Sequence, residues 1–321
     1  MYEHLASFLG GPPNLYHYDL YSEWAKHNWG MIVTGNVEVS ADHLTLGRDM
    51  IIPEHITNEN LVPFKKLSAA IHGLHSSERT ILGNSNKTLA IMQLNHPGRQ
   101  SSNFIGGRGP FKAPLAPSAV RLGGHQLGFI SSAIHALMFQ TPRPMSHVDI
   151  TEMIQAFVKG AKVAHLSGFD GIQLHVAHGC KLYHLSVIRH VDLWTDIDLL
   201  AQFLSSKVGY PIKNKSQHSH LPLQSNLRAD KYSIGESIEL IRTIVSCIRR
   251  EVPKDFVLSI KYSAADYRTA DSVAQSSLSK NESRALEHIL AMAQWGGVDI
   301  IEITGGDYEK PGNSNAKTIR R

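Results

Sequence analysis

Gly168-Phe-Asp-Gly-Ile-Gln-Leu-His-Val-Ala-His-Gly179 reads as a helix stop, a buried strand, and two histidines three residues apart at the strand's carboxyl end. Upstream, Ile154, Phe157, Val158, Ala161 and Ala164 recur at the helical period, with Thr151 as the expected N-cap and Gly168 at the C′ position. A helix followed at once by a short apolar strand is the repeating unit of a parallel α/β sheet. In such sheets ligands bind at the carboxyl ends of the strands, so His175 and His178 are the first candidates for chemistry.

The same unit recurs on both sides. Tyr18, Tyr21, Trp24 and Ala25 predict a helix from Leu15 that ends before Gly30, and Met31 to Gly35 follows as a strand. Thr57 is the expected cap of a helix carrying Leu61, Phe64, Leu67, Ala70, Ile71 and Leu74, with Leu89 to Leu94 as its strand. Ile238, Leu240, Ile241, Ile244, Val245 and Ile248 predict another helix, followed by the strand Phe256 to Lys261. Leu286, Ile289, Leu290 and Ala293 predict a fifth, stopped at Gly296-Gly297 and followed by Val298 to Thr304. From Asn95 to Pro144 the chain is rich in Gly and Pro and without sustained period, which predicts a long excursion over one end of the fold.

Repeated alternation of helix and strand makes parallel pairing the economical topology, in a doubly wound sheet or in a (β/α)8 TIM barrel. No strand leads into a Gly-x-Gly-x-x-Gly turn, which argues against a dinucleotide fold. Polar residues recur instead at strand ends, namely Thr34, Gln93, His175, Lys261 and Thr304, as a barrel site requires. The expected class is therefore α/β, and the expected architecture a TIM barrel.

Composition narrows the function. The 321 residues are 42% hydrophobic and 19% charged, enough for a substantial core. A net charge of +4 without a stripe of Lys and Arg among aromatics gives no expectation of nucleic-acid binding. Two cysteines, Cys180 and Cys247, suit a reducing compartment and build neither a disulfide framework nor a zinc cage. Met1 to Pro13 lacks the features of a signal peptide, and no apolar run nears the roughly 18 residues of a membrane span. No membrane association and a cytoplasmic location are expected.

Gln93-Leu-Asn-His-Pro-Gly-Arg99, His175-Val-Ala-His-Gly179, Leu199-Leu-Ala-Gln-Phe-Leu-Ser205, Asn226-Leu-Arg-Ala-Asp-Lys-Tyr232 and the strand ending in Lys261 together resemble the NADH:flavin oxidoreductases of the old yellow enzyme family, in the same order. The resemblance extends to Met1-Tyr-Glu-His-Leu-Ala6, which is similar to the segment closing the family's first barrel strand. It implies an FMN-dependent barrel in which NADH or NADPH reduces the flavin and the flavin passes hydride to a small-molecule activated alkene or enone. Hydride addition to an enone builds negative charge on the carbonyl oxygen, and His175 and His178 would stabilise it as paired donors. By the same resemblance Gln93 would meet the pyrimidine ring and Lys261 the N1/O2 edge, Gly35 would let the isoalloxazine lie close to the backbone, and Tyr2 would sit near the O4/N5 edge. Lys261 stands where many relatives carry arginine, which keeps the charge and loses the planar fork. His96 and Arg99 are expected to shape their loop, and Arg228 with Asp230 to form a structural ion pair.

The sequence also departs from the family. Cys180 occupies the position at which members commonly carry a proton-donating tyrosine. Segments of about 180–198 and 206–225 interrupt the pattern, either as surface insertions in an active-site loop or as untranslated sequence retained in the reading frame. Met1 falls where the first barrel strand finishes, and a polar tail of about 309–321 follows the sixth strand. The expectation is thus a single domain of residues 1–321 forming an incomplete barrel, without strands 7 and 8 and most of strand 1. Two alternatives stand beside the flavin enzyme: an impaired or truncated relative with weak or no FMN binding, and a metal-dependent hydrolase using His175, His178 and a third ligand such as Asp266. A homo-oligomer is left open.

Overall fold

The computed structural model describes residues 4–73, 88–121, 129–177, 198–204, 208–209, 223–224, 226–233, 235–236, 238–263 and 280–304. In chain order the elements are α1 (Leu15–Ala25), β1 (Met31–Glu38), β2 (Met50–Ile51), α2 (Asn58–Ile71), β3 (Leu89–Asn95), a 3-10 turn (Gly98–Gln100), β4 (Leu115–Ala116), α3 (Phe129–Met138), β5 (Arg143–Pro144) and α4 (His147–Leu166). There follow β6 (Gly171–Val176), α5 (Leu199–Leu204), β7 (Val208–Gly209), β8 (Leu223–Gln224), α6 (Ile238–Arg249), β9 (Val257–Ser263), α7 (Lys280–Gln294) and β10 (Ile300–Thr304).

The main sheet is parallel throughout, in the order β10-β9-β6-β3-β1-β2. From β1 onward, each long strand pairs with the long strand before it. A doubly wound sheet reverses its strand order at a switch point, whereas winding in one direction is that of a (β/α)8 barrel. Helices α1, α2, α4 and α6 pack neighbour against neighbour in the same sequence, as an outer layer. The described strands therefore form a barrel-type arc, with no pairing of β10 to β2 among the described residues.

Alternation along the strands separates the two faces. Val37, Met92, Leu94, Ile172, Leu174, Val176, Leu258, Ile260 and Tyr262 share one continuous core with Phe64, Leu67, Phe157, Ala161, Ile241 and Ile244 of the helices. The opposite face carries Asn36, Gln93, Gln173 and Ser259 in one lateral row, joined by the register pairs Asn36–Gln93, Gln93–Gln173 and Gln173–Ser259. One row nearer the carboxyl ends lie Glu38 paired with Asn95, and His175 paired with Lys261 and through it with Glu302.

Local chemistry fixes the clearest unit. Helix α4 ends in a Schellman motif: the Gly168 N–H donates to the His165 carbonyl and the Phe169 N–H to the Ala164 carbonyl, at 3.1 Å each, with Gly168 at φ +80°. Gly171 opens β6 because a Cβ there would lie 2.3 Å from the Val257 carbonyl oxygen of β9. The beginning of α4 corrects the sequence reading. Ser146, not Thr151, is the N-cap, in a capping box with Asp149, whose carboxylate is also gripped by both terminal nitrogens of Arg143. Thr151 lies inside the helix and donates its hydroxyl to the His147 carbonyl. Thr57 caps α2 as expected, accepting from the Asn60 N–H at 3.2 Å.

The excursion from Asn95 to Pro144 is more ordered than its composition predicts, since it holds α3 and the short parallel pair β4–β5. The interposed segments lie mostly outside the described residues; Asp198 and the antiparallel pair β7–β8 are the parts described.

Candidate functional site

Four of the sequence-predicted site residues come together at the carboxyl ends of adjacent strands. Gly35 sits on β1, Gln93 on β3, His175 on β6 and Lys261 on β9. Tyr2 and His178 lie outside the described residues, as do Cys180 and Asp266.

Gly35 occupies an irregularity of β1, where the pairing with β3 skips between Val33 and Asn36. Its N–H donates to the Tyr21 hydroxyl of α1 at 2.8 Å, and its carbonyl accepts from the Thr34 hydroxyl at 2.8 Å. The same Thr34 oxygen receives the Gln93 N–H at 3.0 Å, so the bulge is stitched to β3 where the ladder lapses.

A ladder of side chains crosses the polar face. Gln93 Nε2 donates to Gln173 Oε1 at 2.6 Å, and Gln173 Nε2 donates to Ser259 Oγ at 3.1 Å and to Glu302 Oε2 at 2.9 Å. Glu302 Oε1 lies 3.1 Å from Lys261 Nζ. Both Gln173 amide hydrogens are thereby used, which fixes the orientation of its amide and in turn that of Gln93. Gln93 keeps its carbonyl oxygen and a second amide hydrogen for a further planar partner. Beside it, the buried Asn36 amide has no hydrogen-bond partner for Nδ2 or Oδ1, and the Asn95 Oδ1 is likewise unmet. Unsatisfied buried amides are costly, and these two lie together at the strand ends.

His175 is buried, and its Nδ1 lies 2.7 Å from Oδ2 of the fully buried Asp198, off the line of a straight hydrogen bond. The other oxygen of Asp198 accepts from Gln100 Nε2 at 3.1 Å. Asp198 immediately precedes α5, and its position is set by backbone bonds: its N–H donates to the Ala177 carbonyl and the Leu199 N–H donates to the His96 carbonyl. Close docking of α5 requires Gly98, at φ +58°, where a Cβ would lie 2.9 Å from Gln202 Nε2. The Leu-Leu-Ala-Gln-Phe-Leu stretch is therefore a buried brace that delivers a carboxylate to the histidine.

At the end of β1, Glu38 is fully buried, with Oε1 accepting from Thr45 Oγ1 and Asn95 Nδ2 at 3.1 Å each. Burial, reinforced by the nearby carboxylates of Asp49 and Asp198, holds its carboxyl well above the usual range. The loop after β3 is organised by Arg108, which donates to the carbonyls of Asp42, Ser101, Ser102 and Lys112. Arg99 is buried and donates to the Val120 carbonyl, and the His96 ring lies 4.5 Å from that of His43. Burial pushes His96 down to about 3 and His43 well below its ordinary value, so both stay neutral. Arg228 grips the Asp230 carboxylate while donating to the Met145 carbonyl at 2.6 Å.

Sequence reasoning missed Gln173, Glu302, Asn36, Glu38 and Asp198. Strand parity was the available signal for Gln173, two residues before His175, and for Asn36 and Glu38 beyond Gly35. No local signal announced Asp198. Among the described residues no cluster of three or more His, Cys, Asp or Glu could hold a metal, and no helix is long and apolar enough to cross a membrane.

Residues 10–184 match the model of the NADH:flavin oxidoreductase / NADH oxidase family. The NADH-dependent flavin oxidoreductase iliE of Neonectria sp. is 30% identical over 91% of this chain and 31% of its own length. The corresponding iccE protein of Talaromyces variabilis is 30% identical over 91% of this chain and 58% of its own. The chain thus spans well under two thirds of these curated relatives. Among solved structures, the old yellow enzyme homologue of Zymomonas mobilis superposes with a TM-score of 0.65 at 16% identity, covering 96% of this chain and 68% of that one. Morphinone reductase in complex with tetrahydroNAD gives 0.60 at 16% identity, over 93% and 67%. These neighbours are TIM barrels, and the fold of this chain is theirs.

Proposed function

Because the chain belongs to the NADH:flavin oxidoreductase / NADH oxidase family, we propose that it binds FMN against the polar ends of its strands and passes hydride from NADH or NADPH, through the flavin, to an activated alkene of the enone class. The observation that carries this reading is the ladder Gln93–Gln173–Glu302–Lys261 beside the unmet Asn36 amide. A planar, polar-edged ring system matches it: amides supply paired donors and acceptors, and an ammonium stands at one end.

When bound, the flavin supplies the two-electron chemistry. The protein's own groups bind and polarise. Gln93, pre-oriented by Gln173, meets a pyrimidine edge through its amide. Lys261 would hold the polar edge of the ring system through its ammonium, and Glu302, 3.1 Å away, would moderate that charge. Gly35 offers backbone without a side chain on β1. His175, with His178 as its sequence partner, donates to the substrate carbonyl and stabilises the oxygen charge that develops as hydride arrives.

The test is the colour and cofactor content of the purified chain. Stoichiometric FMN, bleached anaerobically by NADH or NADPH and reoxidised by a simple enone, is the expected result. A colourless protein that takes up no added FMN would overturn the reading and leave the impaired relative in its place.

A further inference from the structure

We infer that Asp198 is a positioning residue that fixes a proton on Nδ1 of His175, so that the histidine donates through Nε2 only when its ring carries a second proton. This rests on the reading of His175 as a carbonyl-activating donor and specifies its active form.

Asp198 Oδ2 lies 2.7 Å from His175 Nδ1, off the line of a straight hydrogen bond, in a place where both side chains are buried. An ionised carboxylate offers only acceptors, so the nitrogen that faces it must carry hydrogen. A neutral imidazole has one N–H. With that hydrogen on Nδ1, Nε2 presents a lone pair, the wrong polarity for a carbonyl oxygen gaining negative charge. The imidazolium alone keeps Nδ1–H toward Asp198 and presents Nε2–H to the substrate. Asp198 turns one oxygen to Nδ1, and its second oxygen is held by Gln100 so that the carboxylate does not swing away.

Among the described residues, the neighbours of His175 along and across the sheet are otherwise engaged. Asn95, beyond the Leu94–Leu174 pair, is an uncharged amide, and Lys261, in register with His175 on β9, directs its ammonium to Glu302 of β10. Glu38, bonded to Asn95 at the end of β1, has its carboxyl raised well above the usual range by burial. Asp198 makes and breaks no bond in the substrate; the extra proton comes from solvent and returns to it.

The decisive measurement is a long-range 1H–15N correlation spectrum of the full chain labelled with 15N-histidine, with His175→Gln used to assign the resonance. It needs neither flavin nor substrate. The neutral ring is expected to show hydrogen on Nδ1 and a bare Nε2. Asp198→Asn, whose amide can donate to Nδ1, is expected to move it toward the Nε2–H form, and Asp198→Glu to restore Nδ1–H. A neutral wild-type ring with its hydrogen on Nε2 would sink the inference, and the wild-type spectrum decides this even if the variants fail to fold. In flavin-loaded protein, enone reduction should fall about tenfold per pH unit above the ring's titration, and Asp198→Asn should flatten that limb. A flat wild-type limb would also count against the proposal. A protein without flavin would defeat the functional reading while leaving the spectrum to judge Asp198.

Discussion

Gln93 and Gln173 lie in register on neighbouring strands, and the amide of the first donates to the carbonyl oxygen of the second at 2.6 Å. Neither the hydrophobic core nor the sheet ladder needs this contact. Its effect is to hold the Gln93 amide in one orientation before any ligand arrives. Gln173→Leu keeps the volume and removes the anchor. FMN affinity in a fluorescence titration should then weaken about tenfold, roughly 1.4 kcal/mol, a typical value for one hydrogen bond.

Lys261 and Glu302 should act on the flavin in opposite directions. Lys261→Met removes a positive charge and lowers the midpoint potential of bound FMN. Glu302→Gln removes the carboxylate 3.1 Å from the ammonium and raises it. Shifts of about 30 mV, roughly 1.4 kcal/mol for a two-electron couple, are expected in a dye-referenced redox titration. Shifts of the same sign in both variants would contradict the assignment.

Acid should weaken the fold before carboxylates protonate. Burial lowers His17 and His288 from 6.5 to about 4, and His96 to about 3. Between these values and 6.5 the unfolded chain binds protons that the folded chain refuses. The stability from these buried neutral rings is therefore complete above pH 6.5 and is lost as pH falls toward 4 and then 3. Urea midpoints measured at pH 7.5 and pH 5, at about constant ionic strength, should fall at the lower pH.

Two glycines provide a steric contrast. Gly171→Ala drives a methyl to 2.3 Å from the Val257 carbonyl oxygen and pushes β6 from β9. The cost should be at least about 1–3 kcal/mol in urea unfolding. Gly30→Ala meets nothing within 4 Å and should stay within about 0.5 kcal/mol of wild type.

The start of α4 gives a direct comparison of caps. Ser146→Ala should cost about 1 kcal/mol, because the Asp149 N–H loses its acceptor. Thr151→Ala, on an exposed helical turn, should change stability by less than about 0.5 kcal/mol.

That contrast shows how far local sequence reaches. The helical period of Ile154 to Ala164 and the stop at Gly168 identified α4 and β6, because both depend on neighbours a few residues away. The N-cap was misplaced because Thr151 also suits a cap, whereas the capping box between Ser146 and Asp149 and the grip of Arg143 lie upstream of the apolar period. Gln93, His175 and Lys261 were legible as polar ends of apolar strands. Gln173 fell within a strand read as simply buried and Glu302 within one read only as following the last helix, and only the register shows them facing the same side. Asp198 was beyond reach, since its approach to His175 depends on α5 docking on the loop after β3.

The one-directional winding of the sheet also orders events in time. Each long strand finds its partner in chain already made, so a nascent polypeptide leaving the ribosome extends the sheet at a single growing edge. Gln93 is in place before Gln173, and both precede the Lys261–Glu302 pair that completes the ladder. A stall in synthesis before β9 would leave a sheet with β6 as its bare margin and His175 without its cationic neighbour, so the final third of the chain covers that margin as well as supplying chemistry.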